Sequence, residues 1–284
     1  MSARVALIGA GLMGAGLTRL FTQVGWPVTV WDRDPAAAAR LAGEGVRIAR
    51  DLEDALADAD LVIEAIAEIA EAKQALFVEL AAHARADTIL ATNSSVIPVS
   101  VVSARAGDAD ARRIVGTHFW NPPDIIPLVE VIPGTRTAPG TVDRTIALLT
   151  AAGREPVRVQ GDVVPGNRLQ HALWREAMAL VDEGLCSPAD IDLIVKRSFG
   201  ARLAVLGPLE NADLVGLGLT AQIHDVILPM LSRATEPSPA LRARIAAGST
   251  GVAAGNGFHA GWTTATVTAL RERLSTHLRA SFGA

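Results

Sequence analysis

Short apolar runs alternate with amphipathic stretches along the first half of the chain. Val5–Ile8, Val28–Trp31, Leu61–Ile63, Thr88–Ala91 and Ile114–Thr117 read as strands, and helical spacing fills the intervals near 12–24, 35–43, 69–85 and 98–105. A run over Leu128–Ile132, a helix near 139–152 and a run over Val157–Gln160 continue the mixture. Strands that alternate with helices predict a parallel sheet covered by helices. Past Val163-Val164-Pro165-Gly166 the strand signal nearly vanishes. Long amphipathic stretches follow near 166–184, 188–198, 210–231, 238–247 and 264–280. Pro188 after Ser187 and Pro239 after Ser238 read as helix starts. The pattern divides the chain near residue 164, into an α/β domain over 1–164 and a smaller all-helical domain over 165–284.

Composition narrows the function classes. Half of the 284 residues are hydrophobic and 20% are charged, enough for a large buried core. A net charge of −4 without a basic tract argues against nucleic acid or an anionic membrane surface as the main partner. Cys186 is the only cysteine, which excludes an internal disulfide and suits a reducing cytoplasm. Val5–Ala10 is too short for a signal peptide core and runs straight into glycines, and no apolar segment approaches the roughly 20 residues of a membrane helix. A soluble, cytoplasmic protein is expected. No cluster has metal-ligand spacing.

The first chemistry lies in "VALIGAGLMGAG", where Gly9-x-Gly11-x-x-Gly14 follows a strand and opens a helix. The first glycine permits a tight turn, the second lets backbone approach a pyrophosphate, and the third lets helix pack close to strand. Free N–H groups and the positive end of the helix dipole then face the phosphates. This is the pattern of a Rossmann dinucleotide-binding domain, with Gly9, Gly11, Leu12, Met13 and Gly14 at the cofactor. Asp32 closes the next strand. A carboxylate there accepts hydrogen bonds from both adenosine ribose hydroxyls and repels a 2′-phosphate, which selects NAD over NADP. Arg33, directly after it, is the residue that could assist the phosphorylated form.

A nicotinamide carries hydride, so the protein must also move a proton and polarise a C–O bond. Histidine is the side chain whose unperturbed pKa lies near neutrality; His118 ends the strand "RIVGTH", and strand C-termini face the ligand crevice of open α/β sheets. Glu130 sits within the apolar run Leu128-Val129-Glu130-Val131-Ile132. Unpaired, a carboxylate there would cost several kcal/mol. Pairing with the His118 imidazole would fix its tautomer and raise the basicity of the other nitrogen. Pro122, Pro123 and Pro127 make the connection between them stiff.

In order and spacing, "GAGLMGAG", "DLVIEAIAEIAEAKQALF", "ATNSSVIPVS", "HFWNPPDIIPLVEVIPG", "GNRLQHALWREAMALVDEG", "LGPLENADLVGL" and "GNGFHAGW" resemble the L-3-hydroxyacyl-CoA dehydrogenase family over nearly the whole chain. The resemblance implies an NAD-binding domain, a helical domain that usually dimerises, and interconversion of an (S)-3-hydroxyl with its ketone. By position it implies His118 as general acid/base and Glu130 as its partner. Ser95 would lie beside the substrate oxygen and nicotinamide, with Asn93 nearby. Glu68 and Lys73 would line the cofactor edge, and Asn167 would hold the substrate carbonyl or the histidine. Taken alone, Ser95 has the alternative of a turn residue and Lys73 that of a solvated helix residue. Core packing accounts for His171 and Trp174, and His83, His224 and His277 read as ordinary helix residues.

Two departures bear on the substrate. The acyl-CoA enzymes place a long basic helical hairpin after the position of Asp32. Here the interval 33–63 has room for one helix, a strand and a short helix, with little positive surface for the charges of CoA. The segment Pro165-Gly166-Asn167 is also about two residues shorter than the family pattern and lacks its aromatic. His259 stands where the family has tyrosine. The expected partners are a small 3-hydroxy or 3-oxo acyl compound, with the CoA ester left open, and a second copy of the chain through the helical domain. A non-CoA ketone, β-keto acid or imine reduced with NADH is the alternative substrate class.

Overall fold

The computed structural model describes residues 2–283. They form two compact units, one running through Asn167 and including the chain from Ser275 onward, the other spanning Arg168–Leu274. In the first unit the order is β1 (Val5–Ile8), α1 (Leu12–Gln23), β2 (Val28–Trp31), α2 (Pro35–Ala39), β3 (Val46–Ile48), α3 (Leu52–Leu56), β4 (Leu61–Glu64), α4 (Ala70–His83) and β5 (Ile89–Thr92). There follow α5 (Val99–Val102), α6 (Asp108–Ala111), β6 (Ile114–Phe119), β7 (Leu128–Pro133), α7 (Pro139–Ala151) and β8 (Glu155–Arg158).

One eight-stranded sheet results, in the order β3-β2-β1-β4-β5-β6-β7-β8. From β3 to β6 all pairs are parallel; β7 runs antiparallel to β6, and β8 parallel to β7. The chain winds one way from β1 to β3 and the other way from β4. The carboxyl ends of β1 and β4 therefore flank a topological switch point, where a crevice opens. Every residue of β1, β4 and β5 is buried. Successive side chains serve opposite faces of the sheet. Val5 and Leu7 pack with Leu17, Leu20 and Phe21 of α1, while Ala6 and Ile8 pack with Phe77 and Leu80 of α4.

Of the boundaries that differ from the pattern in the sequence, three lie near the site. Strand β6 runs on to Phe119, because His118 and Phe119 pair with Glu130 and Val129 of β7; His118 is inside the ladder. Strand β8 starts at Glu155 and includes Pro156, which an edge strand tolerates. The helix expected over 98–105 shrinks to α5, whose first N–H groups, of Val99 and Ser100, donate to the Asp162 carboxylate at 2.6 and 2.8 Å. Interval 33–63 holds α2, β3 and α3 and no long hairpin.

The remaining helices are α8 (Pro165–Asp182), α9 (Pro188–Arg197), α10 (Phe199–Arg202), α11 (Pro208–Val215), α12 (Leu217–Ile227), α13 (Pro239–Ala246) and α14 (Thr264–Phe282). Ser187 and Ser238 cap α9 and α13, each accepting from a backbone N–H three residues on at 3.2 Å. The stretch over 210–231 is split at Gly216, whose φ of +94° belongs to glycine.

Candidate active site

At the carboxyl end of β1 the glycines of the loop have different reasons to be glycine. Gly9 has φ +111°, and a Cβ on it would lie 2.7 Å from the Ala65 carbonyl oxygen. On Gly14 a Cβ would lie 1.9 Å from the carbonyl oxygen of Gly9. The protein's own backbone forbids a side chain at both. Around Gly11, the N-cap of α1, there is nothing within 4 Å of that position, which leaves its backbone open to the approach of a ligand. Helix α1 starts at Leu12 without a side-chain cap, leaving the first-turn N–H groups, those of Leu12 and Met13 among them, for an anion.

Asp32, just past β2, is fixed by two backbone donors. Its Oδ2 accepts from Ala10 N–H at 2.6 Å and its Oδ1 from Asp34 N–H at 2.8 Å. An ionised carboxylate has about four acceptor sites, so capacity for ribose hydroxyls remains. Gly9, Gly11, Asp32, Arg33, Arg40 and Leu76 line a cleft of about 550 Å³. Uncapped N–H groups, an unshielded glycine and a tethered acid at the edge of such a cleft fit a dinucleotide.

Between β4 and β5 lies a buried ionic network. Glu64 ends β4 with 0% exposure, and Lys73, one turn into α4, has 1%. Lys73 Nζ donates to Glu64 Oε1 at 2.6 Å and to Glu68 Oε2 at 3.1 Å. Glu64 also accepts from Ile66 N–H and from the Thr92 hydroxyl, both at 2.7 Å. Glu68 Oε1 accepts from the Ser94 hydroxyl and from the N–H groups of Ser95 and Val96, the latter two at 3.0 and 3.2 Å. Lys73 is therefore a buried cation and not a solvated helix residue. Its burial is affordable only because two carboxylates face it.

The antiparallel register places His118 opposite Glu130. His118 Nδ1 and Glu130 Oε2 are 2.7 Å apart, with both side chains 5% exposed. Glu130 Oε1 accepts from Gly166 N–H at 2.8 Å. Burial pushes the Glu130 carboxyl up, but the bonds from His118 and Gly166 outweigh it and hold it below the usual carboxylate range. An ionised carboxylate only accepts, so Nδ1 carries the proton and Nε2 is the nitrogen left to exchange one. Trp120 packs edge-on against the imidazole, ring centroids 5.3 Å apart.

Neighbouring loops tie into this centre. Asn93 Oδ1 accepts from Phe119 N–H at 3.0 Å, and Asn167 Nδ2 donates to the Ser95 carbonyl at 2.7 Å. The structure thus brings together His118 with Glu130, Ser95 with Glu68 and Asn167, and Asp32 with the glycine loop. His171 and Trp174 stack on each other within the second unit, 4.9 Å between centroids. Sequence patterning does not single out Glu64, Thr92, Ser94 or Gly166. For Glu64 a signal exists: it is a charge closing the apolar run Leu61–Glu64, the same feature that marks Glu130.

Comparison with known proteins places these features. The family profile described as "3-hydroxyacyl-CoA dehydrogenase, NAD binding domain" matches residues 4–46 and 40–163, and its C-terminal counterpart matches 165–261. The chain is 34% identical to 5-formyl-3-hydroxy-2-methylpyridine 4-carboxylate 5-dehydrogenase of Mesorhizobium japonicum, over 91% of this chain and 90% of that protein. It is 37% identical to L-carnitine dehydrogenase of Streptomyces griseus, over 75% and 70%. A solved structure of an enzyme with the first of these names, described as an NAD+-dependent dismutase, covers 99% of this chain and 97% of its own, with TM-score 0.92 at 33% identity. For (S)-3-hydroxybutyryl-CoA dehydrogenase of Ralstonia eutropha the values are 91%, 98%, 0.72 and 27%.

Proposed function

The chain belongs to the 3-hydroxyacyl-CoA dehydrogenase family, whose members are NAD-dependent oxidoreductases, and from that premise we propose that it interconverts a hydroxyl and an oxo group on a small substrate that is not a CoA ester. The observation that carries the reaction is the His118–Glu130 pair at 2.7 Å, buried and with Nδ1 committed. NAD, once bound, supplies the hydride acceptor. In oxidation, His118 Nε2 takes the proton of the substrate hydroxyl, and Glu130 stabilises the imidazolium that forms. In reduction the same nitrogen returns the proton. The Ser95 hydroxyl holds the substrate oxygen beside His118. Gly9, Gly11, Leu12, Met13 and Gly14 hold the pyrophosphate, Asp32 the adenosine ribose with Arg33 at its rim, and Asn93 keeps the β5 exit against β6.

The substrate class rests on interval 33–63. Its helices are short, and it carries only four arginines, two of which share one carboxylate: Arg47 and Arg50 lie 2.8 and 3.7 Å from Asp54. Arg33 and Arg40 face the cofactor cleft. Little cationic surface is left for a CoA tail. The similarity to the pyridine-carboxylate dehydrogenase and to L-carnitine dehydrogenase supports the same direction. Among the described residues no helix is long and apolar enough to cross a membrane, and with the lone Cys186 this supports a cytoplasmic location.

The test is NADH formation with 3-hydroxybutyryl-CoA against free 3-hydroxy acids and aromatic hydroxy or formyl carboxylates, with the corresponding ketones, β-keto acids and imines assayed for NADH oxidation. Turnover of a free compound, and little of the CoA ester, is expected. Robust activity on the CoA ester alone overturns the substrate class. No turnover across the panel, despite tight NADH binding, overturns the enzymatic reading.

A further inference from the structure

The connection from β8 to α8 is pinned twice before the helix begins. Val159 N–H donates to the Val131 carbonyl at 2.9 Å, and its side chain is buried. Gly161 then turns the chain with a φ of +147°, a value that suits glycine. Next, the Asp162 carboxylate takes the first two N–H groups of α5, Val99 at 2.6 Å on Oδ1 and Ser100 at 2.8 Å on Oδ2. Helix α5 has no side-chain cap from its own end; a residue 63 positions along the chain supplies it. The helix is a firm anchor. Val99 and Val102 are buried, and the Val99 side chain lies 3.0 and 2.9 Å from where Cβ atoms on Gly116 and Gly134 would be.

A few residues after Asp162, Gly166 N–H donates to Glu130 Oε1 at 2.8 Å. Gly166 lies in the first turn of α8, where an N–H has no acceptor inside the helix, and Pro165 before it has no N–H at all. Only Val163, Val164 and Pro165 separate the two pinned residues. The chain between them can span at most about 14 Å. Pro165 fixes its own φ and holds Val164 to extended backbone. Val164 also packs on the core layer that contains Val99 and Val159. While Asp162 is held, the start of α8 has little freedom to leave Glu130.

We propose that Asp162 is a positioning residue for the His118–Glu130 pair: by capping α5 it fixes the entry to α8 and so keeps the Gly166 N–H on Glu130 Oε1. Glu130 is faced by His118 from β6, by Gly166 from α8 and by Trp120 at the end of β6. Losing the Gly166 donor leaves more of its charge on the oxygen that meets His118, and the pair then holds a proton more firmly. The effect on turnover rests on reading His118 and Glu130 as the proton-transfer pair. The effect on the Gly166 amide does not, and experiment separates the two.

The test compares Asp162→Ala, Asp162→Asn and a chain with Gly-Ser-Gly-Ser inserted between Val164 and Pro165, each in the full-length protein. Amide hydrogen exchange is followed at Val99, Ser100 and Gly166, NADH affinity by fluorescence, and the pH profile of kcat/KM on whichever substrate the panel identifies. In Asp162→Ala, exchange at all three amides should quicken by about tenfold or more, as each loses a charge-assisted hydrogen bond. The acid limb of kcat/KM for oxidation should move to higher pH and kcat should fall about tenfold, with the NADH Kd unchanged. Asp162→Asn keeps one acceptor oxygen and should recover part of the protection and of kcat. The insertion leaves Asp162 on α5, so Val99 and Ser100 should stay protected while Gly166 and the pH profile change as in Asp162→Ala. It carries the test where Asp162→Ala does not fold. Wild-type exchange at Gly166 in Asp162→Ala overturns the proposal, because the cap is then local to α5. An insertion that leaves Gly166 and the pH profile unchanged overturns it as well. So does faster Gly166 exchange with a wild-type pH profile, where His118→Ala is inactive. If Gly166 exchange quickens and His118→Ala keeps full activity, the anchor stands and the proton-transfer reading falls.

Discussion

Glu130 is tolerated inside a strand because each of its oxygens has a donor: His118 for one, Gly166 N–H for the other. The carboxylate fixes which imidazole nitrogen is basic, and that dependence can be measured. His118→Ala is expected to lower kcat by roughly 10²–10⁴-fold while NADH binding, read by fluorescence, persists. Glu130→Gln keeps the shape but can present an amide N–H to the imidazole, so kcat should fall and the pH dependence of kcat/KM should shift. Wild-type rates with a wild-type pH profile would remove the orienting role. A stability signature accompanies it. The folded pKa of Glu130 lies below its unfolded value, so the ionised carboxylate adds stability that is complete above the unfolded pKa and is lost as pH falls through the folded one. The stability gap between wild type and Glu130→Gln in urea melts should therefore narrow in acid. At this scale much was legible. A charge in an apolar run must have a partner, and the run around Glu130 announces one. Lys73 is harder to read, because its burial depends on Glu64 and Glu68 reaching it from β4 and the following loop, and helix periodicity carries no trace of that.

The elements reach the site through contacts that exclude side-chain atoms. Gly166, in the first turn of α8, is one. A Cβ there would lie 2.5 Å from Trp120 Cζ2 and 3.2 Å from Glu130 Oε2, while its N–H is a ligand of Glu130. Gly16 of α1 is similar, with the ring of Pro123 only 2.6 Å from where a Cβ would be; this seats the loop between β6 and β7 on α1. Gly166→Ala should cost about 1–3 kcal/mol in urea unfolding, the range for overpacking, and should lower kcat because Glu130 and Trp120 must shift. Gly140→Ala, in the first turn of α7 with nothing within 4 Å, is the matched control and should be neutral or slightly stabilising. Equal effects of the two substitutions would mean that Gly166 matters only as helix backbone. The strands, the glycine turn and the short interval after Asp32 were readable from period and punctuation. The closeness of Gly166 to Trp120 was not, because it joins segments that are distant in sequence. The break at Gly216 had a local signal, a glycine within an amphipathic stretch, but glycine inside a helical pattern does not by itself end the helix.

Taken as a whole, the two units differ in how they treat apolar surface. The first buries two layers around its sheet. Within Arg168–Leu274, among the described residues, Ile191 is the one buried hydrophobic, while Val205, Leu209, Leu214, Leu217, Val226 and Met230 are each more than 60% exposed. A soluble monomer rarely shows a contiguous apolar patch beyond a few hundred Å², and a stable interface buries about 1,200–2,000 Å². We propose a second copy of the chain as the occupant, as the family resemblance implies, since like helical units would cover like faces through a two-fold axis. The wild-type protein should therefore run in light scattering at twice its 29.6 kDa chain mass and stay dimeric on dilution to the micromolar range. Leu209→Glu with Leu214→Glu should yield a monomer whose second unit unfolds at lower urea, with NADH affinity retained, because the glycine loop and Asp32 belong to the first unit. A wild-type chain that is monomeric and fully active at micromolar concentration would mean that these apolar faces serve something other than self-association.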